Sequence, residues 1–322
     1  MRRIPWAEWV AGVLAVGVIA AAPAVLAQAR ETAGLVTEIK VGKGKVEVKS
    51  AAADWRAAGP LQALRAGDQV RATDDASVVA VLSGGRGTVK VTAQNSPWTV
   101  PAVTGDSKAQ KAQALVAASM GFLAGGVKEP PKAVLSTRAI AGPPEILTPR
   151  RGPVLLGDDL VFEWMGSRFS RYTVRVTSPA GVVLEKKGVV GARLAYPPDA
   201  PALKPGVGYT LQVEALGQPP QASTFEVLDP ARSASVREAL AQLEASLGAG
   251  VSASSVAVMK AGALASEGLL HDARSVVLAG LAKDPDEPTL HTILGNLYAQ
   301  TGLDRQAAES LDEARFLLGR DR

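Results

Sequence analysis

The chain has 322 residues, with 35 Lys and Arg, 31 Asp and Glu, and no cysteine. A net charge of +4 is too small to indicate a nucleic-acid-binding surface, so we expect no nucleic acid among the partners. Because cysteine is missing, disulfides, thiolate metal sites and a lipid-modified N-terminal cysteine are excluded.

The first 29 residues have the pattern of a secretory signal. Arg2 and Arg3 precede an uncharged apolar run over residues 9–27, and cleavage is expected after Ala27 or Ala29. The run also approaches the roughly 17 to 25 residues of a membrane-spanning helix, so an uncleaved inner-membrane anchor is the alternative. We predict a periplasmic or otherwise exported protein, which meets a membrane only if this segment is not cleaved.

Residues 30–105 are predicted to form a small all-β domain. Short runs of alternating apolar and polar residues are separated by turn residues, which is typical of half-buried strands. Gly67 and Asp68 have the residue types of one such tight turn. Residues 30–145 contain 15 basic and 10 acidic side chains, so this part of the chain is mildly basic.

The same stretch resembles the FecR-type periplasmic domain. The resemblance covers residues 34–100 and rests on Gly34 with a Val two residues later, on Trp55, on an L-x-x-G-D-x-V-x-x-T pattern at 64–73, and on a Gly-Gly turn at 84–85. It implies a β-rich module without catalytic residues, used in envelope signalling or surface assembly.

Residues 106–144 are predicted to hold a short helix and a linker. Helix-forming residues dominate 107–125, and we expect this helix to close the first β-domain. The following residues, 126–144, are rich in proline and glycine and cannot continue regular structure for long.

Residues 145–229 are predicted to form a β-sandwich. Strand-like alternation recurs along them, and Trp164 fits an inward position. Residues 203–209 resemble the L-x-P-G-x-x-Y pattern of fibronectin type III and related immunoglobulin-like domains. In those domains the tyrosine, here Tyr209, bonds to backbone just upstream. We interpret Trp164 and Tyr209 simply as core aromatics.

Residues 231–322 are predicted to contain a helical hairpin that is repeated about two and a half times. At an offset of 34 residues, Gly268 pairs with Gly302 and Ala273 with Ala307. This period, with small residues where helices cross, resembles the tetratricopeptide repeat. A half-repeat at 233–247 precedes the two copies in phase. The predicted fold is therefore multidomain: a β-module, a β-sandwich and a helical array.

The tetratricopeptide resemblance implies a concave groove that binds an extended peptide or a partner helix. By matching positions, Thr292, Asn296 and Gln300 would face this groove, and Ser266 would do so from the preceding copy. The alternative interpretation is that these four are solvated polar positions of a structural repeat.

The sequence offers no catalytic or metal site, and we predict a protein that is not an enzyme and needs no cofactor. His271 and His291 open different helices and cannot share an ion. Asp158 and Asp159 are adjacent, so on a strand they would point to opposite faces. The GGRG stretch at 84–87 lacks the Lys and Ser or Thr of a phosphate loop, and no G-x-S-x-G motif occurs.

Two classes of function remain. We favour an exported adaptor that binds an envelope protein or peptide segment. The alternative is a module that binds anionic cell-wall or surface polysaccharide through the basic first domain, where Trp55 and Trp98 are the candidates for stacking on sugars. A periplasmic signal-sensing role, as in FecR itself, is a further alternative.

Overall fold

The computed structural model describes residues 32–50, 53–102, 110–125, 143–155, 160–248 and 250–319. The predicted signal, nearly all of the predicted linker, and the adjacent carboxylates Asp158 and Asp159 lie outside the described residues. From Glu31 onward the chain forms one compact unit. None of the helices in the described ranges combines the length and apolar character needed to span a membrane.

The first module consists of two antiparallel sheets. Its described strands are β1 (Thr32–Lys40), β2 (Val46–Lys49), β3 (Arg56–Ala57), β4 (Ala63–Arg65), β5 (Gln69–Ala72), β6 (Ser77–Leu82), β7 (Thr88–Thr92) and β8 (Trp98–Thr99). The strand orders are β4-β1-β6-β7 and β3-β2-β5-β8. Alternation sets the inner faces: Val46 and Val48 are buried, whereas Glu47 and Lys49 between and beyond them are only half-buried.

Gly67 and Asp68 lie in the turn between β4 and β5. Gly67 adopts a φ of +86°, a conformation that favours glycine. The Asp68 carboxylate accepts a hydrogen bond from the Arg65 backbone N–H at 2.8 Å. Both residues therefore have the turn roles that the sequence predicts: Gly67 adopts the left-handed backbone conformation, and the Asp68 side chain accepts a backbone hydrogen bond within the turn.

The predicted β-sandwich is confirmed. Its described strands are β9 (Glu145–Thr148), β10 (Gly152–Val154), β11 (Val161–Met165), β12 (Arg171–Ser178), β13 (Gly181–Val190), β14 (Arg193–Ala195), β15 (Gly208–Ala215) and β16 (Gln221–Val227). One sheet has the order β10-β16-β15-β12-β13 and the other β14-β11-β9. Only β10 and β16 pair in parallel among these strands.

Aromatic side chains fill the space between the two sheets of the sandwich. Trp164 and Tyr172 meet edge to face with ring centroids 5.3 Å apart, and Tyr209 stacks on Phe225 at 5.5 Å. All four are buried, so the sandwich has a core of its own.

The described helices are α1 (Gln110–Gly125), α2 (Pro230–Leu247), α3 (Ala253–Ser266), α4 (Leu270–Leu281), α5 (Pro288–Gln300) and α6 (Asp304–Leu317). Local sequence sets their starts: the Asp229 carboxylate caps α2 ahead of Pro230, and the Ser252 hydroxyl caps α3. The helical region predicted at the C-terminus is confirmed.

The hairpins α3–α4 and α5–α6 repeat each other closely. Gly268 and Gly302 end the turns with φ of +78° and +73°. In each turn the backbone N–H of the residue after the glycine donates to a carbonyl five residues earlier. Leu269 donates to Leu264 and Leu303 donates to Tyr298, both at 2.9 Å. This is a glycine C-cap, which left-handed backbone permits. The equivalent alanines, Ala273 and Ala307, are fully buried.

The helix α1 does more than close the first β-domain, so that prediction was incomplete. It packs along α3, where a Cβ added at Gly262 would lie 2.7 Å from Leu123 Cδ1. Composition indicated the helix but could not show which element it would contact. Because α2 follows the sandwich, the sandwich is inserted in the sequence between two helices of one array.

The first module has its own core between its two sheets, and it shares a second apolar cluster with the array. Leu35, Leu61 and Val81 of the β-module belong to the same buried cluster as Val258 and Leu264 of α3. The sequence analysis placed these two parts at opposite ends of the chain as separate domains, and sequence distance alone does not determine which segments pack together.

Candidate interaction surfaces

The inner helices α3 and α5 bind strand β1 through buried polar groups. The hydroxyls of Ser255 and Thr37 lie 2.8 Å apart. The Glu287 carboxylate, which caps α5, accepts from the backbone N–H groups of Thr289 and Ile39, each at 3.2 Å. The Glu287 side chain thus caps the start of α5 and also binds strand β1 of the first module.

Glu38 and Lys40 extend this contact. The Glu38 carboxylate accepts from the Ser255 backbone N–H at 3.1 Å and from the Ser252 hydroxyl. Lys40 Nζ lies 2.7 Å from Asp284 Oδ2. Four consecutive residues of β1, Thr37 to Lys40, therefore contact the array, and the array's inner helices have a partner within the chain.

Burial raises the pKa of Glu287 to about 7, against the opposing effect of hydrogen bonds from Thr289 and Ile39 and of the Lys40 charge. For Lys40, burial opposes the charged form, but the hydrogen bond and charge of Asp284 and the charge of Glu287 outweigh it and raise its pKa. The contact thus contains a buried carboxylate that titrates near neutral pH.

Two of the four residues predicted to face the groove are buried and two are exposed. Thr292 and Asn296 are only 6% and 8% exposed, and the Thr292 hydroxyl donates to the Pro288 carbonyl within its own helix. Ser266 and Gln300, the last residues of α3 and α5, are exposed. The repeat pattern indicates which face points inward, but it does not show whether the rest of the chain covers that face.

The sandwich binds the opposite ends of the array, at the starts of α4 and α6. Arg274 Nη1 lies 2.7 Å from Glu163 Oε2 on β11, and Arg274 Nε donates to the Tyr298 hydroxyl at 3.2 Å. The His271 Nδ1 is 2.5 Å from the Thr148 hydroxyl. The contacts of Arg274 with Glu163 and of His271 with Thr148 join the three-stranded sheet to α4.

Burial, together with the Arg274 charge, lowers the pKa of His271 to about 4, against the attraction of Glu163. Burial raises the pKa of Asp272 to about 6, although a hydrogen bond from the Leu155 N–H opposes the shift. At neutral pH the interface therefore holds a neutral imidazole beside the Arg274–Glu163 ion pair.

His271 and His291 have separate roles. The His291 Nε2 lies 2.7 Å from the Pro285 carbonyl, whereas His271 contacts the sandwich. Within the described ranges, no group of three or more His, Asp or Glu side chains is arranged to hold a metal ion.

Sequence analysis missed the residues that make these contacts. Ser255, Glu287, Arg274 and Gln306 are all less than 9% exposed, and the Gln306 amide donates to Glu145 of β9 at 3.0 Å. Only Glu287 carries a local signal, because it directly precedes a helix-starting proline. The others become visible only when the modules are placed together.

The two tryptophans suggested for sugar stacking are partly covered. The Arg71 guanidinium lies 4.2 Å from the Trp55 ring centroid, and Arg71 Nε pairs with Glu47 Oε2 at 2.7 Å. Trp98 packs against the core of the first module. One face of Trp55 is therefore already occupied.

No family model and no curated protein matches this sequence. Among solved structures, a chimeric titin Z1Z2-Z1Z2 tandem functionalised with a GRGDS peptide from fibronectin shares 16% identity, covering 62% of this chain and 92% of that one, with a TM-score of 0.20. Sidekick-1 immunoglobulin domains 1–4 share 10% identity, covering 62% and 47%, with a TM-score of 0.18. Neither TM-score indicates a shared overall fold, so the description of the architecture rests on the strands and helices given above.

Proposed function

We propose that the protein is a non-catalytic, exported adaptor that brings together protein components of the bacterial cell envelope. In this proposal the first module is FecR-like, the sandwich is immunoglobulin- or fibronectin III-like, and the array is tetratricopeptide-like. The Tyr209 hydroxyl accepts a hydrogen bond from the Lys204 N–H at 2.6 Å, which agrees with the second assignment. The repeated glycine turns agree with the third assignment.

The observation that carries the proposal is that one helical array binds two β-modules at once. Ser255 and Glu287 hold strand β1 on the inner helices, and Arg274 and Gln306 hold the sandwich. The array therefore fixes the orientation of two modules and leaves their outward faces for partners. This use of helices is what an adaptor needs, because a fixed spacing lowers the entropic cost of binding two partners.

Polysaccharide binding has less support than protein binding. Of its two candidate aromatics, Trp55 is covered on one face by Arg71 and Trp98 packs against the core of the first module, whereas sugars need an open ring face. Signal sensing of the FecR kind rests on the sequence resemblance alone. Polysaccharide binding is one outcome of the test below.

The test uses a photo-crosslinking amino acid at exposed positions of the two modules in living cells. Gln94 represents the first module, Lys187 the sandwich, and Glu309 on the outer face of α6 serves as the control. We expect distinct protein adducts from 94 and 187, both recovered in one complex, and few from 309.

A matched variant then tests the role of the array. Arg274→Ala should loosen the attachment of the sandwich, so each adduct should persist while their recovery in one complex falls. Adducts that carry polysaccharide would favour the alternative function. An absence of adducts at both 94 and 187 would rule out the adaptor proposal.

A further inference from the structure

Three exposed apolar side chains meet at one end of the sandwich. Phe169 is 83% exposed, Val190 65% and Leu216 99%. The strand register brings them together: Arg171 pairs with Val190 on one side, and Tyr172 pairs with Ala215, next to Leu216, on the other. We call Phe169, Val190 and Leu216 the apolar tip.

The loops that carry the apolar tip have charge of one sign, and the nearest exposed carboxylate on β15 is Glu214, two residues before Leu216. Arg168 and Arg171 flank Phe169 and are exposed, and the Arg168 guanidinium lies 4.9 Å from the Phe169 ring centroid. The loops at 166–170, 191–192 and 216–220 contain no Asp or Glu. The tip thus combines projecting apolar groups with basic side chains.

We propose that the apolar tip inserts into the interface of an anionic lipid membrane. Aromatic and aliphatic groups are stabilised at the boundary between headgroups and acyl chains, and adjacent arginines are attracted to anionic headgroups while their stems stay in apolar surroundings. Phe169 and Leu216 provide the apolar groups, and Arg168 and Arg171 provide the charge. This goes beyond the adaptor function, which needs no lipid.

The shape of the tip favours a membrane over a protein pocket. Side chains that are 83% and 99% exposed project from separate loops, so a protein partner would need a matched cavity for each of them. A bilayer accepts such projections without a preformed shape. Charge complementarity also favours an anionic surface, because both arginines lie at the same end as the apolar groups.

The chain contains no cysteine, so a single introduced cysteine can be labelled in the full protein with an environment-sensitive fluorophore. Leu216→Cys places the label at the tip. Ala180→Cys places it in the hairpin at the opposite end, since Ser178 pairs with Gly181 there. This comparison does not depend on whether residues 1–29 are retained, because both labelled proteins carry the same N-terminus.

With vesicles of phosphatidylcholine and phosphatidylglycerol, we expect a blue shift at position 216 and none at 180. Phe169→Ser should lower the apparent vesicle affinity reported at 216 by about tenfold or more. Arg168→Gln with Arg171→Gln should lower it by about tenfold or more, and added salt should have a similar effect. Lys204→Gln, which removes one positive charge at the opposite end, should leave it unchanged.

The proposal is overturned if position 216 gives no shift with anionic vesicles, or if positions 216 and 180 shift equally. It is also overturned if a photo-crosslinker at 216 in cells gives protein adducts while the labelled protein ignores vesicles. That result would make the tip a protein-binding surface. A shift of equal size with purely zwitterionic vesicles would contradict the role assigned to the arginines.

Discussion

The helical array holds its two β-modules in different ways. The first module has a core of its own between its sheets, but it also shares a second apolar cluster with the array, in which the side chain of Leu35 on β1 is fully buried. The sandwich keeps its own aromatic core. It is joined to the array by polar contacts such as Arg274–Glu163 and by the partly buried side chains of Leu147 and Leu155, which pack against the shared cluster. A shared buried cluster couples the folding of two parts, whereas an interface of ion pairs and a few partly buried side chains permits the parts to come apart while both stay folded.

The largest expected effects come from truncating one fully buried leucine in each of the two regions. Leu35→Ala and Leu211→Ala remove the same atoms from side chains that are both 0% exposed, at a cost of about 2–5 kcal/mol each. We expect Leu35→Ala to destabilise the first module and α3–α6 together, because they share the buried cluster that contains Leu35. Leu211→Ala should destabilise the sandwich alone.

Hydrogen exchange followed by mass spectrometry, in increasing urea, measures the two cases segment by segment. The comparison fails if Leu35→Ala leaves the protection of α3 and α5 unchanged. It also fails if Leu211→Ala lowers the protection of the array as much as that of the sandwich.

A second prediction concerns the polar interface. Arg274 and Glu163 have side chains only 10% and 21% exposed, so Arg274→Met would leave a carboxylate with less compensation and cost about 2–3 kcal/mol. Arg305 provides a matched control. Its pair with Glu145 spans 3.8 Å and its side chain is 59% exposed, so Arg305→Met should cost at most about 0.5 kcal/mol.

A double-mutant cycle with Glu163→Gln, measured by chemical denaturation, isolates the pair. We expect a coupling energy of about 1–2 kcal/mol between Arg274 and Glu163. A coupling near zero would mean that other contacts hold the sandwich to the array.

Local pattern predicted the elements well where one segment determines its own structure. Alternating apolar residues gave the strands around Val46 and Val48, and the 34-residue offset gave the paired turns at Gly268 and Gly302. These features depend on steric and hydrogen-bonding preferences within a few residues, so a single sequence is sufficient to predict them.

Contacts between distant segments could not be predicted in the same way. Thr292 and Asn296 have polar side chains on an inward face, which suggested an open groove, yet both are buried. Glu287 contacts Ile39 across 248 positions, and no local pattern specifies such a pair. The candidate surface on the sandwich was missed for a related reason: Phe169 and Leu216 become neighbours only through the strand register.

The third prediction concerns pH. The folded-state pKa of Glu287 is raised from 4.5 to about 7, so between these values the folded protein binds more protons than the unfolded chain. Stability from this group is then highest below about pH 4.5 and falls as pH rises towards 7. Replacing the carboxyl by an amide removes this dependence while keeping an oxygen that can accept from Ile39.

Thermal unfolding of the parent and of Glu287→Gln from pH 5 to pH 8 tests this directly. We expect the parent to lose about 2 kcal/mol relative to the variant across that range. His271 and Asp272 also titrate abnormally, but both are unchanged in the variant, so their contributions cancel. A constant difference between the two proteins would show that the carboxylate stays ionised throughout, held by Lys40.

The smallest effect distinguishes a buried inner face from an open groove, using two amides one turn apart on α5. Gln300 is exposed and Asn296 is 8% exposed. Gln300→Ala should change the free energy of unfolding by less than about 0.5 kcal/mol, whereas Asn296→Ala should cost about 1 kcal/mol, because it empties space and removes a buried polar group. Neither change should alter the crosslinks at positions 94 and 187, since the inner helices already hold strand β1. If Asn296→Ala leaves stability unchanged but abolishes partner capture, the inner face must be open to a partner, and the shared cluster of the array and the first module must be able to separate.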